Sequence, residues 1–156
     1  MSDAEQTVEI SLEQVADYEF KVRFDGTAIP DLTADETPPL GQNAGPNPSR
    51  LLAAAVANCL SASLLFALRK YKNTPGPLAA KAKATLTRNE TGRWRITHIG
   101  VDLQLADKAE LLQHLDRVLA QFEDFCIVTQ SVRHGIAVDV RVSDGDGQSL
   151  PVPNAG

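Results

Sequence analysis

The 156-residue chain is poor in sulfur and in aromatic surface, with two cysteines, one methionine, one tryptophan, two tyrosines and five phenylalanines. Two cysteines cannot supply the dense staples of a small secreted domain, and Cys59 and Cys126 form no CxxC, so a thioredoxin-like dithiol motif is excluded. Together with His98, His114 and His134 they match no zinc-finger or ribbon spacing. No apolar run reaches the unbroken ~20 residues of a membrane span; the longest, Leu51 to Leu68, is interrupted by Asn58, Cys59, Ser61 and Ser63. Positive charge is also short, with fifteen Lys and Arg against twenty Asp and Glu, a net charge of −5 and a pI near 5.1. That balance argues against a general binder of nucleic acid or of anionic membranes. Met1 to Gln14 is acidic and alternating, unlike the charged-then-apolar order of a signal peptide. A cytoplasmic location, where free thiols persist, is therefore expected.

What is present is enough for one core. Hydrophobic residues make up 43% of the chain and the mean hydropathy is −0.16, which excludes disorder of the whole chain. A chain of this size buries about 68–70% of its unfolded surface without metal or disulfide staples. A single domain over residues 1–156 is expected, with an ordered core of about 6–143 and a loose tail from 144 to 156 rich in Gly and Pro. Charge is uneven: residues 1–47 carry ten acids and two bases, residues 48–156 thirteen bases and ten acids. Eight Lys or Arg between Arg69 and Arg95 face Glu90 alone, but only Tyr71 and Trp94 lie among them. A nucleic-acid surface would interleave more aromatics, so a solvated strand face is the better account.

The hydrophobic periods divide the chain. Val8, Ile10 and Leu12, and then Tyr18, Phe20, Val22 and Phe24, alternate with polar residues as half-buried strands do, with a hairpin loop at Gln14 to Asp17. A weaker third strand is expected within Thr27 to Thr33, followed by a Pro- and Gly-rich loop from Asp35 to Pro48. Asn47-Pro48 reads as an N-cap with Pro at the first helical position, opening a helix that runs to Lys72 and stops at Asn73 and Pro75-Gly76-Pro77. Its apolar residues go nearly all round, so burial on more than one side is expected, in the core or in a dimer. Two strands follow, Ala80 to Thr87 and Arg93 to Leu105, turning at Asn89 to Gly92. The apolar phase slips between Ile96 and Ile99, which predicts a bulge near His98. A second, amphipathic helix is expected from Asp107, with Glu110 as a capping partner and Leu111, Leu115, Val118, Leu119 and Phe122 on one stripe. A short helix, Ile127 to Arg133, closes at Gly135 and leads to a last strand, Ile136 to Val142. The order gives an α+β domain with two helices against a largely antiparallel sheet.

Both thiols can be read as small buried hydrophobes, as free cysteines often are. Position points elsewhere. Cys59 lies midway along the long helix, and Cys126 stands at a short helix start, where the dipole favours a thiolate. If the two sulfurs meet, one thiolate can attack a peroxide and the other can condense with the resulting sulfenic acid to a disulfide.

The segment Pro38 to Cys59, with Gly45-Pro46-Asn47-Pro48 leading into an Ala- and Leu-rich helix that carries a cysteine, resembles the signature of the OsmC/Ohr family. Cys126-Ile127-Val128-Thr129-Gln130-Ser131-Val132 is similar to that family's second cysteine and its short helix. The resemblance implies an intertwined homodimer with the long helices central and the sites at the subunit interface. It implies Cys59 as the peroxidatic thiol, Cys126 as the resolving thiol, a small organic hydroperoxide as substrate and a dithiol as reductant. Neither a metal nor a bound organic cofactor is implied. Two positions depart from the pattern. Ser49 stands where the peroxidase branches carry a Glu that pairs with an Arg near the thiol, and Ile127 stands where many members have Pro. Arg23, on an N-terminal strand, and Arg50, at the helix start, are the residues expected to supply an activating cation. The alternative function is a non-catalytic protein of the same fold that binds a small apolar ligand or senses redox state.

Overall fold

The structure is a computed structural model and describes residues 4–135, 141–143 and 149–150. The described residues form β1 (Ile10–Ala16), β2 (Glu19–Phe24), β3 (Leu32–Ala34), α1 (Pro48–Lys70), β4 (Ala79–Arg88), β5 (Trp94–Gln104), α2 (Leu115–Gln121), α3 (Ile127–His134), β6 (Val142–Ser143) and β7 (Ser149–Leu150). Short 3-10 turns at Ala109–Leu111 and Phe122–Phe125 precede α2 and α3. Among the described residues every pairing is antiparallel, in sheets ordered β1-β2-β3, β4-β5 and β6-β7. The α+β class read from the sequence is the class observed. Most of the expected last strand lies outside the described residues, as does most of the expected tail; Ser149–Leu150, within that tail, pairs with β6.

Alpha-helix 1 starts where the sequence predicts, because Asn47 Oδ1 accepts the Arg50 amide at 2.9 Å and Pro48 gives up no useful donor. It ends at Lys70, two residues short of expectation, and Lys72 is already in the left-handed region at φ 66°. Asn73 fixes that end: its Nδ2 donates to the Leu68 and Gln113 carbonyls, and its Oδ1 accepts the Gln113 amide at 2.7 Å. The orphan carbonyls of the helix end are thereby partly satisfied, and the chain before α2 is tied to it.

Along α1, Val56, Leu60, Leu64, Ala67 and Leu68 recur at helical spacing and form one buried stripe. Leu64, Ala67 and Leu68 pack with Val118 of α2, and Val56 and Leu60 pack with Cys126. Phe122 and Leu103 of β5 touch both clusters and join them. The other sides of α1 stay open in the single chain: Phe66 is 56% exposed, and Ala54, Ala55 and Ala62 are exposed. By length and composition α1 would suit a membrane span, yet its stripe is the inner wall of both clusters.

The β4-β5 hairpin follows its expected course. Asn89 accepts the Thr91 and Arg93 amides at the turn, and Gly92 takes φ 75°. The register slips between Thr85↔His98 and Leu86↔Ile96, which leaves Thr97 as the bulge predicted near His98. Trp94 is 54% exposed beneath the Arg88 guanidinium at 4.3 Å.

Three boundaries differ from the sequence reading. Beta-strand 1 extends to Ala16, so the hairpin turn is only Asp17-Tyr18, with Asp17 at φ 47°. The third strand is Leu32–Ala34, later than expected. The second helix does not begin at Asp107: that carboxylate instead accepts the Gly76 amide at 2.7 Å, and α2 starts only after His114, at φ 52°. With the helix shortened, Leu111 and Leu119 are 70% and 52% exposed, and only Val118 of the expected stripe is fully buried.

The loop between β3 and α1 is ordered by Asp35. Its carboxylate accepts the Gln42, Ala44 and Glu36 amides, and those first two bonds hold it below the ordinary carboxylate value. Gly45 is required because a Cβ there would collide with the Thr33 carbonyl. The N-terminal sheet itself has no extended packing against α1 or the β4-β5 hairpin, and all of β1 is exposed, Ile10 at 57% and Leu12 at 55%.

Leu68 is fully buried at the junction of α1 and α2. Leu68→Ala is expected to lower unfolding stability by about 2–5 kcal/mol, measured by denaturant titration; an unchanged midpoint would contradict the core assignment.

Candidate functional site: a buried thiol pair

Cys126 is placed by local geometry on both sides. It is the N-cap of α3, with φ −87° and ψ 92°, its amide donating to the Glu123 carbonyl at 3.0 Å and its carbonyl accepting the Gln130 amide at 3.1 Å. The 3-10 turn before it is held to α1 by Phe125, whose ring meets Phe66 edge-on at 5.0 Å. These contacts press the start of α3 against the middle of α1. Cys126, fully buried, then packs with Val56 and Leu60, and half-buried Cys59 joins the same cluster. Residues 67 positions apart are thus brought into one packed cluster as free thiols, close enough for each to shift the other's pKa.

The surroundings of the two sulfurs differ. Burial raises the Cys59 pKa first, and its hydrogen bond with Cys126 raises it further, against the opposing pull of the Val128 and Thr129 amides. Burial acts on Cys126 in the same direction but is outweighed. Hydrogen bonds from Cys59, from the Thr129 hydroxyl and amide and from Ser63 hold Cys126 below the ordinary thiol value. The two thiols interact, so negative charge on Cys126 makes a second charge on Cys59 harder to form. In the neutral form the Cys126 thiol donates to Thr129 Oγ1 at 2.9 Å.

A cavity of about 470 Å³ opens beside this pair, between α1, β5 and α3. Leu52, Val56, Leu60, Ile99 and Val132 form its apolar side, and Thr129, the partner of Cys126, also lines it. His98 and the Glu123–Arg133 ion pair, at 2.7 Å, also border it. The size is that of a small-molecule site.

The cations expected at Cys59 sit elsewhere within this chain. Arg23 lies in the N-terminal sheet, paired with Glu13 at 2.8 Å and with Asp31 at 3.7 Å, half-exposed. Arg50 is exposed in the first turn of α1, more than two turns before Cys59. The groups acting most on Cys59 are Cys126, Val128 and Thr129, none of them a cation. His134 is exposed in the last turn of α3, and His114 is the left-handed residue before α2, its ring tilted against Tyr71 at 5.7 Å. Among the described residues, no three His, Cys, Asp or Glu side chains gather as a metal site.

A family model described as OsmC-like protein matches residues 41–141, which include the second part of the Pro- and Gly-rich loop, both helices of the thiol pair and both cysteines. The chain belongs to the OsmC-like family. Solved structures agree on the fold. An OsmC-like protein of unknown function from Vibrio cholerae superposes with a TM-score of 0.66 at 16% identity, covering 81% of this chain and 93% of that one. The organic hydroperoxide resistance protein OhrB of Bacillus subtilis gives 0.56 at 18% identity, over 82% and 91% of the two chains. A further organic hydroperoxide resistance protein, from Legionella pneumophila, gives 0.59 at 16% identity, over 82% and 90%. No curated protein sequence matches the chain.

In this OsmC-like chain, sequence reasoning singled out the two thiols and missed the groups around them. Thr129 stands three residues after Cys126, the spacing from which a first-turn residue reaches back to its cap. Ser63 stands four after Cys59, one turn along the same face of α1. Those two spacings were the available signals. The Glu123–Arg133 pair had none, because it spans a 3-10 turn whose geometry the hydrophobic pattern does not encode.

Proposed function

We infer that this OsmC-like protein is a thiol-dependent peroxidase that reduces organic hydroperoxides to alcohols. The observation that carries this reading is the meeting of Cys59 and Cys126 in one buried cluster, beside a cavity lined by both apolar and polar side chains. Cys59 is the half-buried sulfur and takes the peroxidatic role, because a substrate must reach it; Cys126, fully buried behind it, resolves. The Cys59 thiolate attacks the terminal oxygen of the hydroperoxide, the O–O bond breaks and the alkoxide leaves as the alcohol after protonation. Cys59 is then a sulfenic acid. Cys126 attacks its sulfur, the S–O bond breaks, water leaves and a disulfide remains. A dithiol reductant returns the two electrons. No bound metal or organic cofactor enters this scheme, and free thiols suit a reducing compartment such as the cytoplasm.

Two features bear on activation and assembly. Ser49 removes the family's Glu at the start of α1 and Arg23 is paired on the N-terminal sheet, so in this reading a second copy of the chain brings the activating cation to Cys59. The open sides of α1, with Phe66 half-exposed, and the exposed apolar residues of β1 support a homodimer in which each copy covers the other. Residues 1–156 act in this reading as one unit of that dimer. The second reading is a ligand-binding or redox-sensing protein without turnover; it is favoured by the absence of a cation among the groups acting most on Cys59.

Stopped-flow mixing of reduced protein with an alkyl hydroperoxide is expected to give rapid consumption, slowed by about a hundredfold or more in Cys59→Ser. Equal rates in the two proteins would leave the binding or sensing reading. Sedimentation equilibrium is expected to give twice the chain mass; a monomer at micromolar concentration would remove the assembly proposal.

A further inference from the structure

We propose that Thr129 is a positioning residue for disulfide closure, its hydroxyl acting with that of Ser63 to hold the Cys126 sulfur against Cys59 in both of its protonation states. The inference rests on the thiol-pair reading above, but it concerns the second step alone. Three buried groups carry it: Cys126 is 0% exposed, and Thr129 and Ser63 are each 5% exposed. Water has little access to Cys126, so the hydrogen bonds that a thiol or thiolate needs there come from the protein.

The geometry supplies them from two directions. Thr129, on the first turn of α3, faces back to its own N-cap residue and accepts the Cys126 S–H at 2.9 Å. Ser63 approaches from α1, one turn beyond Cys59, and stabilises the Cys126 anion. With its proton directed at Thr129, neutral Cys126 turns its lone pairs to the remaining neighbours, among them the Cys59 thiol. A hydroxyl both accepts and donates. The same Oγ1 therefore accepts from the thiol and, after a rotation of its own O–H, donates to the thiolate. A valine of nearly the same shape does neither, and it leaves a buried sulfur to ionise with one donor fewer. The attacking sulfur would then be both less ionised and less firmly aimed.

The test reads closure without any peroxide. Reduced protein is mixed with one equivalent of a chromogenic aromatic disulfide. Cys59 takes one aryl thiol as a mixed disulfide and releases the other as a coloured thiolate. Cys126 then attacks the Cys59 sulfur, the bond to the aryl sulfur breaks and a second coloured thiolate is released. Sulfur and electrons balance, with the aromatic disulfide as the oxidant. In Thr129→Val the second release is expected to slow by about tenfold. Its pH midpoint should move upward, because a thiolate that has lost a donor forms only at higher pH, while the first release stays unchanged. Thr129→Ser is expected to keep the second release within about threefold of the native rate, with an unmoved midpoint. The proposal is overturned if Thr129→Val closes at the native rate and midpoint. It is also overturned if Thr129→Ser is as slow as the valine variant, or if both releases slow equally, since each assigns the loss to packing. A protein that consumes no hydroperoxide would remove the peroxidase reading and still leave this closure step measurable.

Discussion

Both apolar clusters among the described residues are built on a single stripe of α1, and that shared dependence constrains everything downstream. Val56 and Leu60 receive the start of α3, while Leu64, Ala67 and Leu68 receive α2, so one helix sets the position of two others. Cys59 lies on the margin of this stripe, one residue before Leu60, half in and half out of the cluster. Its place follows from helical geometry: the stripe fixes the rotation of α1, and the rotation fixes where the thiol points. The chain that returns to meet it, from Phe122 to Cys126, is short and pinned by aromatic contact and backbone hydrogen bonds. Little freedom is left in the approach of Cys126.

The thiol pair shows why burial alone does not determine the chemistry of a sulfur. Both thiols are withdrawn from water, a change that disfavours the anion on each. What separates them is the donor count. Cys126 gathers hydroxyls from two helices and the thiol of Cys59, whereas Cys59 meets two amides of α3 and a neighbour that is itself the better home for negative charge. Cys59 is the more accessible sulfur, and hydrogen bonding favours the anion of Cys126. The asymmetry separates a thiol open to reaction from a thiol held ready for ionisation.

Much of the fold was legible because its elements carry strong local signals. Asn47-Pro48 opens α1, the phase slip between Ile96 and Ile99 marks the bulge at Thr97, and Gly135 closes α3 with φ 75°. The misreadings share a cause. At Asp107 the sequence offers a good capping residue, but a tertiary bond to the Gly76 amide takes that carboxylate, and the helix waits until after His114. Leu111 and Leu119 then fall outside the buried stripe. Of the site, the two cysteines were legible from context and resemblance, whereas Ser63 and Thr129 became visible only when two helices far apart in sequence were packed together. Single-chain spacing places a hydroxyl near its own helix partner; it does not say which sulfur of another helix will fill the gap.

The central claim is that Cys59 and Cys126 form one redox unit, and intact-protein mass spectrometry after reaction with one equivalent of an organic hydroperoxide tests it directly. The account predicts a product lighter than the reduced chain by two hydrogen atoms, with a peptide map joining the Cys59 and Cys126 segments. A chain heavier by one or more oxygen atoms at Cys59, with Cys126 still free, would contradict it.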